Sequence, residues 1–290
     1  MNFDDRSFCV AGGDLRFAFL AEQLGSDGFD AGVCLFNEPV FISPMVKRFR
    51  DLSAIGQSDI IILPVPYSTD GQNISAAFSK QKFAIKDFAG LVRPGSLVFA
   101  GKADSLLKSY AEQYGFTVID YLDREEMAVL NAVPTAEGAI AIAINETEFS
   151  IFGSNCLVTG YGRIAKVLTN LLVHMGANVT VAARKSGDRC WAQIAGAKAI
   201  PTDRIIDDAA GYDLIFNTVP SVLLDSAALC RLKTGCLVID LASKPGGVDL
   251  EAAKEHCVKT IWALSLPGKV APKTAGQIIL NTILGILKEY

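Results

Sequence analysis

The sequence predicts an α/β protein: two doubly wound parallel sheets in tandem, joined by a helical connector. Three observations predict it. Short apolar runs alternate with helix-like segments, the pattern of parallel strands with crossover helices. The halves repeat each other in order: FCVAGGDLR (8–16) matches CLVTGYGRI (156–164), DIIILPVP (59–66) matches DLIFNTVP (213–220), and RPGSLVFAG (93–101) matches KTGCLVIDL (233–241). The length of 290 residues supplies about two domains at ~150 residues each.

Taken in order, the strands of the first half fit 8–12, 32–36, 59–65, 96–100 and 117–121, with helices over 15–24 and 104–114. The stretch EEMAVLNAVPTAEGAIAIAINET (125–147) has helical composition. Pro134 is expected to interrupt it, because proline has no N–H to donate, and Thr135 to cap a fresh start at Ala136. In the second half, strands fit 156–159, 178–182, 214–218, 236–240 and 260–264. A helix fits 164–175 and stops at Gly176. A last helix covers 273–288, with Ile278, Ile279, Thr282, Ile283, Ile286 and Leu287 at helical spacing. The expected domains are 1–124, a connector over 125–150, a nucleotide domain over 151–272, and a closing helix (273–290) packed back near the connector.

Net charge is −4 and the cations are scattered, which argues against nucleic acid. The seven cysteines are odd in number, lack CxxC spacing and lie mostly in apolar stretches; they read as small core residues, with no metal expected. The sequence shows neither the charge-then-apolar order of a signal peptide nor an unbroken run of 18 apolar residues, so neither a leader nor a membrane span is expected.

The second half carries the chemistry. LVTGYGRIAKVL (157–168) contains Gly160-x-Gly162-x-x-Ala165 between a strand and a helix. Gly160 permits a tight turn, Gly162 lets backbone approach a pyrophosphate, and Ala165 lets helix and strand pack closely. Such Rossmann-like units bind dinucleotides at the helix N-terminus, so Gly160, Tyr161, Gly162, Arg163 and Ile164 are cofactor candidates. The next strand ends in VAARKSG, with Arg184 and Lys185 where an NAD site carries an acid. A guanidinium there grips a 2′-phosphate, so Arg184, Lys185 and Ser186 predict NADP. Asn217, Thr218, Val219 and Pro220, where the fourth strand of the unit ends, and Ala242 after the next strand are expected along the cofactor.

For the substrate, Gly12-Gly13 at a helix start is expected to form an anion nest. Gly13, Asp14, Arg16, Asn131, Thr135 and Lys273 are binding candidates, and Glu137, Lys244 and Lys269 catalytic ones. The cations favour an anionic substrate, a dicarboxylate among the options. His174 and His256 lie outside these loops, so a catalytic histidine is not expected.

The segments AGGDLR, NAVPTAEGAI, TGYGRIAKVL, NTVPS, DLASKPGGVD and LPGKVAPKTAGQI together resemble the dipicolinate synthase A-subunit family, over about residues 8–285. More distantly the layout resembles two-domain alanine and 2-hydroxyacid dehydrogenases, whose usual catalytic histidine is missing here. The resemblance implies NADP-dependent oxidation of dihydrodipicolinate to dipicolinate, in the cytoplasm of the mother cell of a sporulating bacterium. It implies a heteromeric complex whose partner is the flavoprotein-like B subunit of dipicolinate synthase; a homo-oligomer is also expected. Glu137 is then the first choice of base. The alternatives are another NADP-dependent oxidoreductase acting on an amino or hydroxy acid, and a non-catalytic nucleotide-binding regulatory subunit.

Overall fold

A computed structural model describes residues 6–289. It divides into two compact units, one reaching Ala128 and resuming at Ala271, the other spanning Val129–Val270.

The first unit is a six-stranded parallel sheet of β1 (Ser7–Ala11), β2 (Asp30–Cys34), β3 (Lys47–Arg48), β4 (Ile60–Ile62), β5 (Leu97–Ala100) and β6 (Thr117–Asp120), in the order β3-β2-β1-β4-β5-β6. Side chains alternate across a strand, so successive residues choose opposite faces. Phe8 and Val10 of β1 and Ile60 and Ile62 of β4 join one core with α1 (Leu15–Ser26) and the closing helix α11 (Pro272–Glu289). Cys9, Ala11 and Ile61 join the other, under α2 (Ser53–Gln57), α3 (Ile85–Leu91) and α4 (Ser105–Tyr114). Helix α11 lies on α1 so closely that a Cβ on Gly276 would stand 2.3 Å from the Arg16 carbonyl oxygen. It meets the connector at Met127, whose sulfur lies 3.7 Å from Thr282 Oγ1.

The second unit repeats the plan. Its sheet holds β7 (Asn155–Thr159), β8 (Asn178–Ala182), β9 (Lys198–Ile200), β10 (Leu214–Asn217), β11 (Leu237–Asp240) and β12 (Lys259–Trp262), in the order β12-β11-β10-β7-β8-β9. Numbered within each unit, the strand orders are identical. One face is covered by α5 (Glu125–Glu146), α6 (Arg163–His174) and α10 (Leu266–Val270), the other by α8 (Ser226–Leu229) and α9 (Leu250–Glu255). Helix α7 (Ser186–Ile194) follows β8.

The repeat extends to an ion pair. Asp59 takes the Ser7 N–H and pairs with Arg93. At the matching places Asp213 takes the Asn155 N–H and pairs with Lys233.

One expectation is corrected. The connector is a single helix through Pro134, and Thr135 is no cap. Its Oγ1 donates to the Asn131 carbonyl one turn back, at 2.7 Å. Packing overrides the missing N–H: Ala136, Ala139, Ile140 and Ala143 are buried in the second unit's core. By length and composition α5 could cross a membrane, yet this buried face makes it a core helix.

Candidate functional site

At the C-terminal edge of the second sheet, β7 turns into α6 through Gly160-Tyr161-Gly162. Gly160 has φ +81°, and a Cβ there would come within 2.8 Å of Thr218 Oγ1 and Val219 Cγ2. Glycine is therefore required on two counts. Gly162 is the N-cap of α6, offers no capping side chain, and has nothing within 4 Å of where a Cβ would stand. The first N–H groups of α6 are thus left for a ligand. Arg163 and Ile164 open that helix, and the Lys166 ammonium sits 5.9 Å over the Tyr161 ring.

The turn after β8 is the second half of the site. Arg189 Nη1 donates to the carbonyls of Ala183 and Arg184, at 2.9 and 2.8 Å, and so fixes the backbone that carries the cations. Arg184, Lys185 and Ser186 are exposed, and α7 starts at Ser186 with no side-chain cap. Arg184 makes no ion pair among the described residues. Both turns face one cavity of about 270 Å³, whose lining includes Gly160, Tyr161, Arg184, Lys185 and Val219. Asp188, Thr202, Ser221 and Leu223 also line it and were missed. Asp188 lies inside a helix beyond the strand end, where no motif marks it.

Asn217 needs a correction. It was expected along the cofactor but is fully buried. Its amide takes Thr159 Oγ1 and the Val219 N–H on the oxygen, and donates to the Val219 carbonyl and Asp240 Oδ1. Asp240, 2 % exposed, also accepts from Ala242 N (3.0 Å) and Gly247 N (2.9 Å). This buried network ties the ends of β7, β10 and β11 to the loops that follow, so Asn217 and Ala242 shape the edge from beneath. Gly247 lacks a side chain because a Cβ would fall 2.3 Å from Asn217 Nδ2. Thr218 and Pro220 remain at the surface of that loop.

The substrate candidates are divided between the units. Asn131, Thr135, Glu137, Lys244 and Lys269 belong to the second; Gly13, Asp14, Arg16 and Lys273 to the first. Glu137, Lys244, Lys269 and Lys273 are exposed, and the Asn131 Oδ1 is buried with no donor among the described residues.

The anion nest at Gly12-Gly13 is a second correction. Gly12 N donates to the Cys34 carbonyl (3.0 Å) and Gly13 N to the Ser75 carbonyl (2.8 Å), so both donors are spent inside the fold. Asp14 caps α1 and receives Arg16 Nε and Nη2; the same Nη2 donates to the Val65 carbonyl at 2.8 Å. Arg16 is neutralised where it stands.

His174 is the last residue of α6 and His256 precedes β12, so both sit at the strand N-terminal side, away from these loops.

A family model, the N-terminal domain of the dipicolinate synthase A subunit, matches residues 7–122. The A subunit of Bacillus subtilis dipicolinate synthase is 33% identical over 282 residues, 97% of this chain and 95% of that protein. The crystal structure of the Bacillus halodurans A subunit superposes with a TM-score of 0.88 at 27% identity, covering 97% of both chains. A transhydrogenase from Sinorhizobium meliloti shares the fold, with a TM-score of 0.72 at 16% identity over 97% of this chain and 93% of that one. With two Rossmann-like units matched from end to end by these relatives, the chain belongs to the dipicolinate synthase A-subunit family.

Proposed function

We propose that this chain is an NADP-dependent oxidoreductase that dehydrogenates dihydrodipicolinate to dipicolinate. It works with a second, flavoprotein-like subunit in the cytoplasm of a sporulating mother cell. The observation that carries the reading is local. Two helices without side-chain caps, α6 and α7, open toward a cavity rimmed by Arg184 and Lys185. Phosphates suit both helix starts: the pyrophosphate on α6, and a 2′-phosphate on α7 beside the guanidinium. A cradle that excludes any side chain at Gly160 fits a dinucleotide backbone passing over it.

When bound, nicotinamide accepts a hydride. The ring carbon of the dihydropyridine loses that hydride and a neighbouring position loses a proton, which leaves an aromatic ring. Aromatisation supplies the driving force, so the protein's part is to hold the substrate and receive the proton. Glu137, exposed on α5, is the proposed acceptor, and Lys244 and Lys269 of the same unit offer charge to the carboxylates.

The test is turnover. The chain is supplied with dihydrodipicolinate and NADP, alone and with the second subunit, while NADPH and dipicolinate are followed together. Equimolar formation of both supports the reading. Dipicolinate without NADPH assigns the oxidation elsewhere, and binding of NADP without turnover in either sample makes the chain a regulatory subunit.

A further inference from the structure

With Arg16 neutralised by Asp14, the first unit lacks the carboxylate anchor its sequence promised, and another cation stands near the same strand ends. Lys102 stands two residues past the end of β5, the neighbour of β4 in the sheet. Ligands of such sheets bind outside the carboxyl ends of the strands where the order reverses, here β1 and β4. Lys102 has φ +65°, a left-handed conformation that costs a non-glycine residue about 1 kcal/mol or more. The surroundings enforce it. Asp120 receives the N–H groups of Lys102 and Ala103, at 3.1 and 2.7 Å. Gly101 is pressed against the β4 loop, where a Cβ would lie 2.4 Å from Val65 Cβ and 2.7 Å from the Tyr121 hydroxyl. The Val65 carbonyl is the one that holds Arg16. So the base of Lys102 is clamped beside the crevice, while its side chain is exposed and without an ion pair among the described residues. A turn that suits glycine carries a lysine instead, and its ammonium has no partner among the described residues.

We propose that Lys102 is the side chain with which the first unit holds one carboxylate of the substrate. The proposal rests on the dicarboxylate reading above. It assigns the anchoring charge to a residue that no motif marked, and leaves Arg16 to support the crevice wall.

The experiment uses the full chain with its second subunit. K102M removes the charge and keeps the length, K102R keeps the charge, and K102G relieves the backbone. Steady-state turnover is combined with titration by dipicolinate and by pyridine-2-carboxylate, which has one carboxylate fewer. K102M is expected to raise KM and the dipicolinate dissociation constant by roughly tenfold or more, the worth of one charge-assisted contact. It should also narrow the preference for dipicolinate over the monoacid. NADPH affinity and the melting temperature should stay as in the wild type, and K102R should recover most of the loss. K102G should weaken dipicolinate as K102M does while melting no lower. If wild type binds dipicolinate and K102M binds it equally well, the assignment of Lys102 is wrong while the function stands. If wild type neither turns over dihydrodipicolinate nor binds dipicolinate, the function itself fails and Lys102 with it.

Discussion

Gly162→Asp tests the cofactor site with little disturbance of the fold. In the repeat, Gly162 occupies the place of Asp14. The two backbones are alike, φ −78° and ψ −167° against φ −115° and ψ −162°, both extended and open to any residue. Nothing lies within 4 Å of the new Cβ. The aspartate can therefore cap α6 as Asp14 caps α1, where it takes the Arg16 N–H at 3.0 Å. For the free protein the change is neutral or gains a few tenths of a kcal/mol. For a bound pyrophosphate it is costly. The carboxylate occupies N–H groups the phosphate needs, at ~1.5–3 kcal/mol for each charge-assisted bond lost. It also adds a like charge worth about 4 kcal/mol at 4 Å and an effective dielectric of 20. Even the lower of these terms, doubled for two lost bonds, predicts at least roughly hundredfold weaker NADPH binding. Calorimetric titration with NADPH, paired with thermal unfolding of the free protein, measures both sides. Wild-type affinity in a variant that melts normally would remove the pyrophosphate from α6. A large fall in melting temperature would instead refute the open space at Gly162.

Further outcomes are expected. Arg184→Asp should weaken NADPH roughly ten- to hundredfold and shift relative preference toward NADH; an unchanged ratio in parallel titrations refutes the 2′-phosphate contact. Asp240→Asn puts an amide N–H₂ against a backbone N–H in either orientation, leaving at least one buried donor unpaired. That costs about 1–3 kcal/mol and should lower the urea midpoint, whereas an unchanged midpoint means the network is dispensable. Burial pushes the Asp213 carboxyl up, but the Lys233 and Asn155 hydrogen bonds outweigh it and hold the group below the usual range. Asp59 is likewise held low against its burial by Ser7 and Arg93. A depressed carboxyl contributes stability above its unfolded value of ~3.9 and loses it as pH falls through the folded one. The double variant D59N/D213N should therefore be less stable at neutral pH and vary less with pH below about 4; denaturant midpoints of equal slope in both proteins would contradict this.

The sheets were legible because each strand of a doubly wound sheet is a short apolar run and the chain repeats itself. Short elements such as Lys47–Arg48 and Lys198–Ile200 were not, since two cations or a lysine followed by two apolar residues carry no periodic signal. Pro134 misled because the lost N–H is a local penalty, while the buried alanines that outweigh it act through tertiary packing. At the candidate site, spacing and charge singled out Gly160 and Arg184, and the structure brings these two to one cavity. Asn217 was placed at the correct strand end, but its side chain is buried there rather than open to a ligand. A polar residue at a strand end reads the same whether it meets a ligand or holds the loop, and only its burial against Asp240 separates the two.

The two units use the first donor of the turn alike, Gly12 N to the Cys34 carbonyl and Gly160 N to the Ala182 carbonyl, and part at the helix start. In the first, Gly12 and Gly13 donate to Cys34 and Ser75, Asp14 fills the helix start, and Arg16 closes onto Asp14. The two glycine N–H groups, the Asp14 carboxylate and Arg16 Nε and Nη2 are engaged within the fold, so an anion there would have to displace internal bonds. In the second, the capping position is a glycine and the neighbouring cation, Arg184, has no acid paired to it among the described residues. A helix start without its cap is a small stability deficit that a phosphate removes on binding. The sequence differences behind this are Asp14 against Gly162 and Arg16 against Ile164, which take away the cap and the cation paired to it together.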